Sequence, residues 1–191
     1  AAPKGLIPLC EDVDRSAESL TYVTSVQDAG LYHYRKFTTG VFVIRSETAK
    51  SAAKLFYRLL DCAEIKEGET EPQFNLFTYY TGTEFRSVVV FRSRHRSHHY
   101  FSDGPDHLTM SPGCADMAGV FIVPVPDEYE KISSQLLSEM VEEVSVAKDV
   151  EAKMLERLTR GQRLLNVGIM AAEELSFEIL SDGDGVRKAV M

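Results

Sequence analysis

The chain has 191 residues, a formal net charge of −8, 44% hydrophobic residues and 26% charged residues. Those totals fit a globular domain of ordinary size, and the acidic balance argues against general nucleic-acid binding, which wants a basic face. The longest apolar runs fall well short of the ~20 residues of a membrane span and no secretory signal stands at the start, so a cytoplasmic protein without membrane attachment is expected.

The chain opens without Met on AAPKGLIPL, which reads as a piece cut from a longer protein. Gly5–Leu9 is a short apolar run, expected to be a strand. Glu11–Glu18 is acidic, a loop or short helix. Leu20, Tyr22, Val23 and Val26 make a second strand candidate. Asp28-Ala29-Gly30 is turn chemistry, and Leu31–Phe37 alternates after it. Thr39-Gly40 turns again before Val41–Ile44, a β-branched run suited to a buried strand. His33 sits in this aromatic stretch with no second ligand nearby in sequence, so a packed imidazole is expected.

Ser46 is expected to open a helix, with Glu47 in its first turn. Ala49, Ala52, Ala53, Leu55, Phe56, Leu59 and Leu60 carry helical spacing to Cys62, which reads as the end of an apolar face. Cys10, Cys62 and Cys114 are far apart and show no zinc spacing, so free thiols and no metal site are expected. Lys66–Pro72 is a loop by composition.

Phe74–Tyr80 and Ser87–Phe91 flank Thr81-Gly82-Thr83 and read as a β-hairpin. The return strand is expected to run on into Arg92, Arg94, His95, Arg96, His98 and His99. No acidic residue falls between Glu84 and Asp103, so this block concentrates positive charge. On a regular strand Arg92, Arg94, Arg96 and His98 would share one face. Guanidinium forks suit phosphate or carboxylate oxygens. A solvated strand face is the plainer alternative. A metal hydrolase on His95, His98, His99 and Asp103 is a weaker option, because His95 and His98 would point to opposite faces of a strand.

Phe101–Asp106 is a strong turn and His107–Met110 a further strand candidate. Ser111–Gly119 reads either as a nest of backbone N–H groups able to hold an anion or as a small-residue turn before a buried strand over Val120–Val125. It matches neither a Walker loop nor a dinucleotide fingerprint, and Ser111 lacks a nucleophile elbow. Asp127 is expected to cap a helix to about Val144, and Val146–Leu158 to form a second, charged one. Glu139, Glu142 and Glu143 read as a solvated helix face. Leu164–Met170 and Leu175–Leu180 are strand-like.

The sum is an α+β fold with a mainly antiparallel sheet and about three helices. Residues 1–160 are expected to form a single domain, and 161–191 an extension or the start of a following domain.

The runs Gly5–Leu9, FNLFTYYTGTEFRSVVVFRSR and SPGCADMAGVFI resemble the distal half of the histidine-triad-like nucleotidyl transferases and phosphorylases. These include the galactose-1-phosphate uridylyltransferase and diadenosine-tetraphosphate phosphorylase types. More narrowly, the chain resembles a Bacteroidetes family related to them. Asn75-Leu76, Arg92 and Ala118-Gly119 occupy the places of the family pattern. The resemblance implies a ligand with phosphates facing Asn75, Arg92, Arg94, Arg96, His98 and His99, with Ser111 and Gly113 beside them. A nucleotide or another phosphorylated small molecule is the implied partner. The family's nucleophilic His segment has no match here, so no catalytic residue is expected and no nucleotidyl-histidine can form. LLNVGIMAAEELSFEIL resembles the start of a sporulation stage II protein D, or amidase-enhancer, domain. That second likeness implies the alternative function, an interaction module of a cell-envelope protein.

Overall fold

The computed structural model describes residues 7–64 and 72–160. Five strands form one antiparallel sheet: β1 (Leu20–Val26), β2 (Ala29–Tyr34), β3 (Val41–Ser46), β4 (Phe74–Tyr80) and β5 (Phe85–Phe91). Their spatial order is β1-β2-β3-β5-β4. The fold is therefore α+β with an antiparallel sheet, as the alternation of short strands and turns predicts.

The two apolar runs at the centre explain the layering. Strand residues alternate faces, and β3 and β5 are buried on both. Val41, Val43, Val88 and Val90 enter one core, while Phe42, Ile44, Val89 and Phe91 enter the other. The first core is covered by α1 (Pro8–Arg15), through Leu9, Cys10 and Val13, and by α6 (Ser134–Val144), through Val141 and Val144. The second is covered by α2 (Ala49–Ala63), through Ala52, Leu55 and Leu59, and by a helix over 148–160, through Met154 and Leu158. Helices thus close both faces, which is why β3 and β5 read as continuous apolar runs.

Several expectations are corrected. Seven α-helical segments are present among the described residues, not about three. Three of the extra ones are single turns: α3 (His98–Phe101), α4 (Cys114–Met117) and α5 (Pro126–Tyr129). Four residues are too few to show helical periodicity. The helix over 148–160, counted here as α7, is the expected charged helix. The apolar run ending at Leu9 does not form a strand there. Pro8 and Leu9 instead begin α1, with Pro at the helix start where its missing N–H costs nothing. The turn after β1 lies at Gln27-Asp28, not at Asp28–Gly30, because Gln27 takes the left-handed region at φ 56°. Thr48, not Ser46, caps α2, its side chain accepting from Ser51 N. The helix expected from Asp127 to Val144 is broken, because the Ser133 side chain accepts from Leu136 N and starts α6 afresh.

His107–Met110 and Val120–Val125 are not strands. Leu108 and Met110 still point inward, against Met140. Their neighbouring backbone bonds go to side chains: Thr109 N donates to Glu128 Oε1 and Ile122 N to Asp116 Oδ1. Alternating burial without a neighbouring strand mimics a strand in sequence. The loop expected over Lys66–Pro72 lies mostly outside the described residues. So do the expected strands beyond residue 160.

Candidate functional site

The β4–β5 hairpin forms as expected, from Phe74↔Phe91 to Tyr80↔Phe85. The strand then stops. Arg92 makes an isolated bridge to Ser145, and Ser93 N donates to Val144 O at 2.8 Å. The chain is drawn off the sheet toward the end of α6. Arg92, Arg94, Arg96 and His98 therefore do not share a strand face, which corrects the central sequence expectation.

The turn of the chain nonetheless gathers part of the expected set. Asn75, Arg92, Arg96, Ser111 and Gly113 line one cleft of about 330 Å³, with His95 beside them. β4 supplies Asn75, the stretch after β5 supplies the basic groups, and the loop before α4 closes the far wall. Among the described residues lining this cleft there is no carboxylate. The charged side chains that line it among the described residues are basic.

The groups play different parts. Arg92 is 5% exposed, and its Nη2 donates to the carbonyls of His95 at 2.7 Å and Pro112 at 2.5 Å. It pins the basic stretch to the opposite loop, so it positions the cleft walls. Ser111 Oγ adds a second tie to His95 O at 3.2 Å. Arg96 is exposed and stacks its guanidinium 3.9 Å over the Tyr100 ring, a cation–π contact that holds the fork in place. Arg96 has no carboxylate partner among the described residues. The buried Asn75 Oδ1 accepts no hydrogen bond from the described residues.

The rest of the expected set lies elsewhere. Arg94 Nη1 donates to Glu143 Oε1 at 3.0 Å, and His98 donates to the same carboxylate through its backbone N at 2.9 Å and Nδ1 at 2.8 Å. Burial pushes the Glu143 carboxyl up, but the His98 hydrogen bonds and the nearby charges of His98 and Arg94 win and hold it below its ordinary value. Glu143 is thus not a solvated face residue, unlike the exposed Glu139 and Glu142. His99 Nδ1 donates to Asp106 O at 3.2 Å. With His98 turned to Glu143 and His99 to a carbonyl, the metal option on His95, His98, His99 and Asp103 is not assembled. No group of three metal-ligating side chains occurs among the described residues.

Of the two readings of 111–119, a nest or a small-residue turn, the geometry at Gly113 is that of a turn. The Gly113 N–H already donates to Asp116 Oδ2 at 2.8 Å, and the same carboxylate accepts from Ile122 N. The small residues serve a helical turn with its own carboxylate cap. Cys114 lies exposed at the cleft rim, while burial, with the Asp14 charge adding, pushes the Cys10 thiol up to about 12. Cys62 is half-buried against the α2 core, at the end of the apolar face as expected.

Sequence reasoning missed a second arrangement. His33 packs against the Phe42 ring, and its Nε2 donates to Glu151 Oε1 at 2.9 Å. The two side chains are 13% and 14% exposed. Glu151 Oε1 also accepts from Gly40 N at 2.6 Å, and Thr39 Oγ1 donates to Val146 O. The pair lines a groove of about 580 Å³ between the 35–39 turn and the start of α7. No local pattern signals it, since β2 and α7 meet only through the fold.

Comparison of the chain with protein-family models, curated proteins and solved structures gives no match. In addition, no helix among the described residues is long and apolar enough to cross a membrane.

Proposed function

We propose that the protein binds a phosphorylated small molecule in the cleft between the β4–β5 hairpin and the Ser111–Cys114 loop. The observation that carries this reading is the cleft's charge: Arg92, His95 and Arg96 line it and no described carboxylate does. Charge-assisted hydrogen bonds from guanidinium to oxyanion are the strong ones. Arg96 is the contact residue in this reading, held by Tyr100, and Arg92 fixes the wall beside it. A ligand O–H or N–H reaching Asn75 Oδ1 would satisfy that buried acceptor, as buried polar groups require. A phosphate monoester carrying a hydroxyl offers both features. The likeness to nucleotidyl transferases supports the same ligand class, with binding and not catalysis assigned to these residues.

The test is thermal denaturation with inorganic phosphate, adenosine monophosphate and glucose 1-phosphate at millimolar concentration. At least one is expected to raise Tm. A ligand at a hundred times its Kd stabilises by about 2.7 kcal/mol, worth roughly 5–10 °C for a chain of this size. Arg96→Ala is expected to weaken that ligand about tenfold, or ~1.4 kcal/mol, and Arg94→Ala to leave it unchanged. No shift with any ligand, or an equal shift in Arg96→Ala, overturns the reading.

A further inference from the structure

The groove beside His33 adjoins a second compartment across a shared wall. Phe37, Thr38 and Glu142 line both. The second compartment, about 280 Å³, is walled by Phe37, Phe121, Leu137 and Val141 and is largely apolar. The first, about 580 Å³, carries Arg35 and Lys148. The two adjoining compartments therefore offer a charged side and an apolar side, with the Glu142 carboxylate lining both. Both volumes fall in or near the range of small-molecule sites.

The charges at the mouth are of two kinds. Glu151 is held through one oxygen, Oε1, which accepts from both His33 and Gly40 N. Neighbouring Lys36 is paired with Asp12 at 3.0 Å. Arg35, Lys148 and Glu142 have no side-chain partner among the described residues. Lys148 also stands at the first turn of α7, where the helix dipole disfavours a cation and favours an anion. A bound carboxylate there would offset that cost. The Glu142 carboxylate, which lines both compartments, suits a cation placed beside an apolar group that enters the second compartment.

We propose that this two-part groove is a second small-molecule site, taking a zwitterionic α-amino acid with an apolar side chain. The ligand carboxylate meets Arg35, Lys148 and the first turn of α7. Its ammonium meets Glu142. Its side chain fills the compartment of Phe37, Phe121, Leu137 and Val141. An α-amino acid is the smallest molecule with all three groups on one carbon, which matches the placement of Glu142 on both compartments.

Isothermal titration of the intact chain with L-leucine and L-phenylalanine tests this. Saturable binding is expected for at least one. Leucinamide, which lacks the carboxylate, and 4-methylpentanoate, which lacks the ammonium, are each expected to bind at least tenfold more weakly than leucine. Glycine is expected not to bind. Glu142→Gln is expected to erase the difference between leucine and 4-methylpentanoate, a readout that a general loss of folding would not produce. Arg96→Ala is expected to leave leucine binding unchanged, which separates this site from the basic cleft. Absence of saturable binding by leucine and phenylalanine, equal binding of leucinamide and leucine, or leucine discrimination unchanged in Glu142→Gln overturns the proposal.

Discussion

At Gly40 the backbone takes φ +75°, and a β-carbon there would be driven into the Val146 side chain and close against Phe91. The turn before β3 and the start of α7 meet at this point. Gly82 provides the contrast: φ is +100°, yet nothing lies within 4 Å of the added carbon. Both positions carry the left-handed penalty of about 1–2 kcal/mol for alanine. Gly40→Ala adds an overpacking cost of about 1–3 kcal/mol. Urea denaturation is expected to show Gly40→Ala clearly less stable than Gly82→Ala, and equal midpoints would remove the packing argument. The sequence shows both glycines as turn residues and cannot rank them, because Val146 approaches only once α7 has docked. Arg92 teaches the same lesson. Its chemistry was legible as an oxyanion fork, but its burial against the carbonyls of His95 and Pro112 depends on where the chain leaves the sheet.

Elements are joined here by short polar ties as much as by apolar cores. Asp28, in the turn after β1, accepts from Ser46 Oγ at 3.0 Å and Thr48 N at 2.9 Å, which fastens the β1–β2 turn to the start of α2. Hydrogen bonding from Ser51, then from Ser46 and nearby backbone N–H groups, outweighs desolvation and holds the Asp28 carboxyl far below its ordinary value. A lowered carboxyl contributes stability that is present above the ordinary pKa of about 4 and lost as pH falls through the lower native value. Asp28→Asn is therefore expected to lower Tm at pH 7, with the gap to the parent narrowing steadily below pH ~4. A gap independent of pH would show that shape, not charge, makes the tie.

The hairpin, β3 and α2 were legible because period-2 and period-3.6 patterns are local. The end of β5 at Phe91 was not, because Val144 and Ser145 capture the next residues from far along the chain. The helix break at Ser133 was legible in principle as a cap residue. It was hidden by apolar residues on either side that keep a helical spacing.

Across the whole molecule, two sequence-local units meet along one line. β1, β2 and β3 pair as consecutive neighbours, as do β4 and β5, while β3 and β5 join the units with α2 in between. The candidate clefts inherit their walls from this closure. The basic cleft needs β5 to deliver Arg92 to the loop before α4, and the His33 groove needs α7 on the sheet face. That is why the basic residues were legible in the sequence but only part of the set converged, and why the groove was invisible before the fold.

The inner position of the last strand has a kinetic consequence. Each outer unit can form from nearby residues, whereas the middle seam must close a long loop before its contacts give any return. The rate-limiting step is then expected to be the meeting of Phe42 with Val89 and of Val43 with Val88, which face one another across that seam. In stopped-flow refolding, Val89→Ala should slow folding, while Val23→Ala in the flanking strand should chiefly hasten unfolding. The reverse pattern would mean that the meander nucleates the molecule and the hairpin arrives after the barrier.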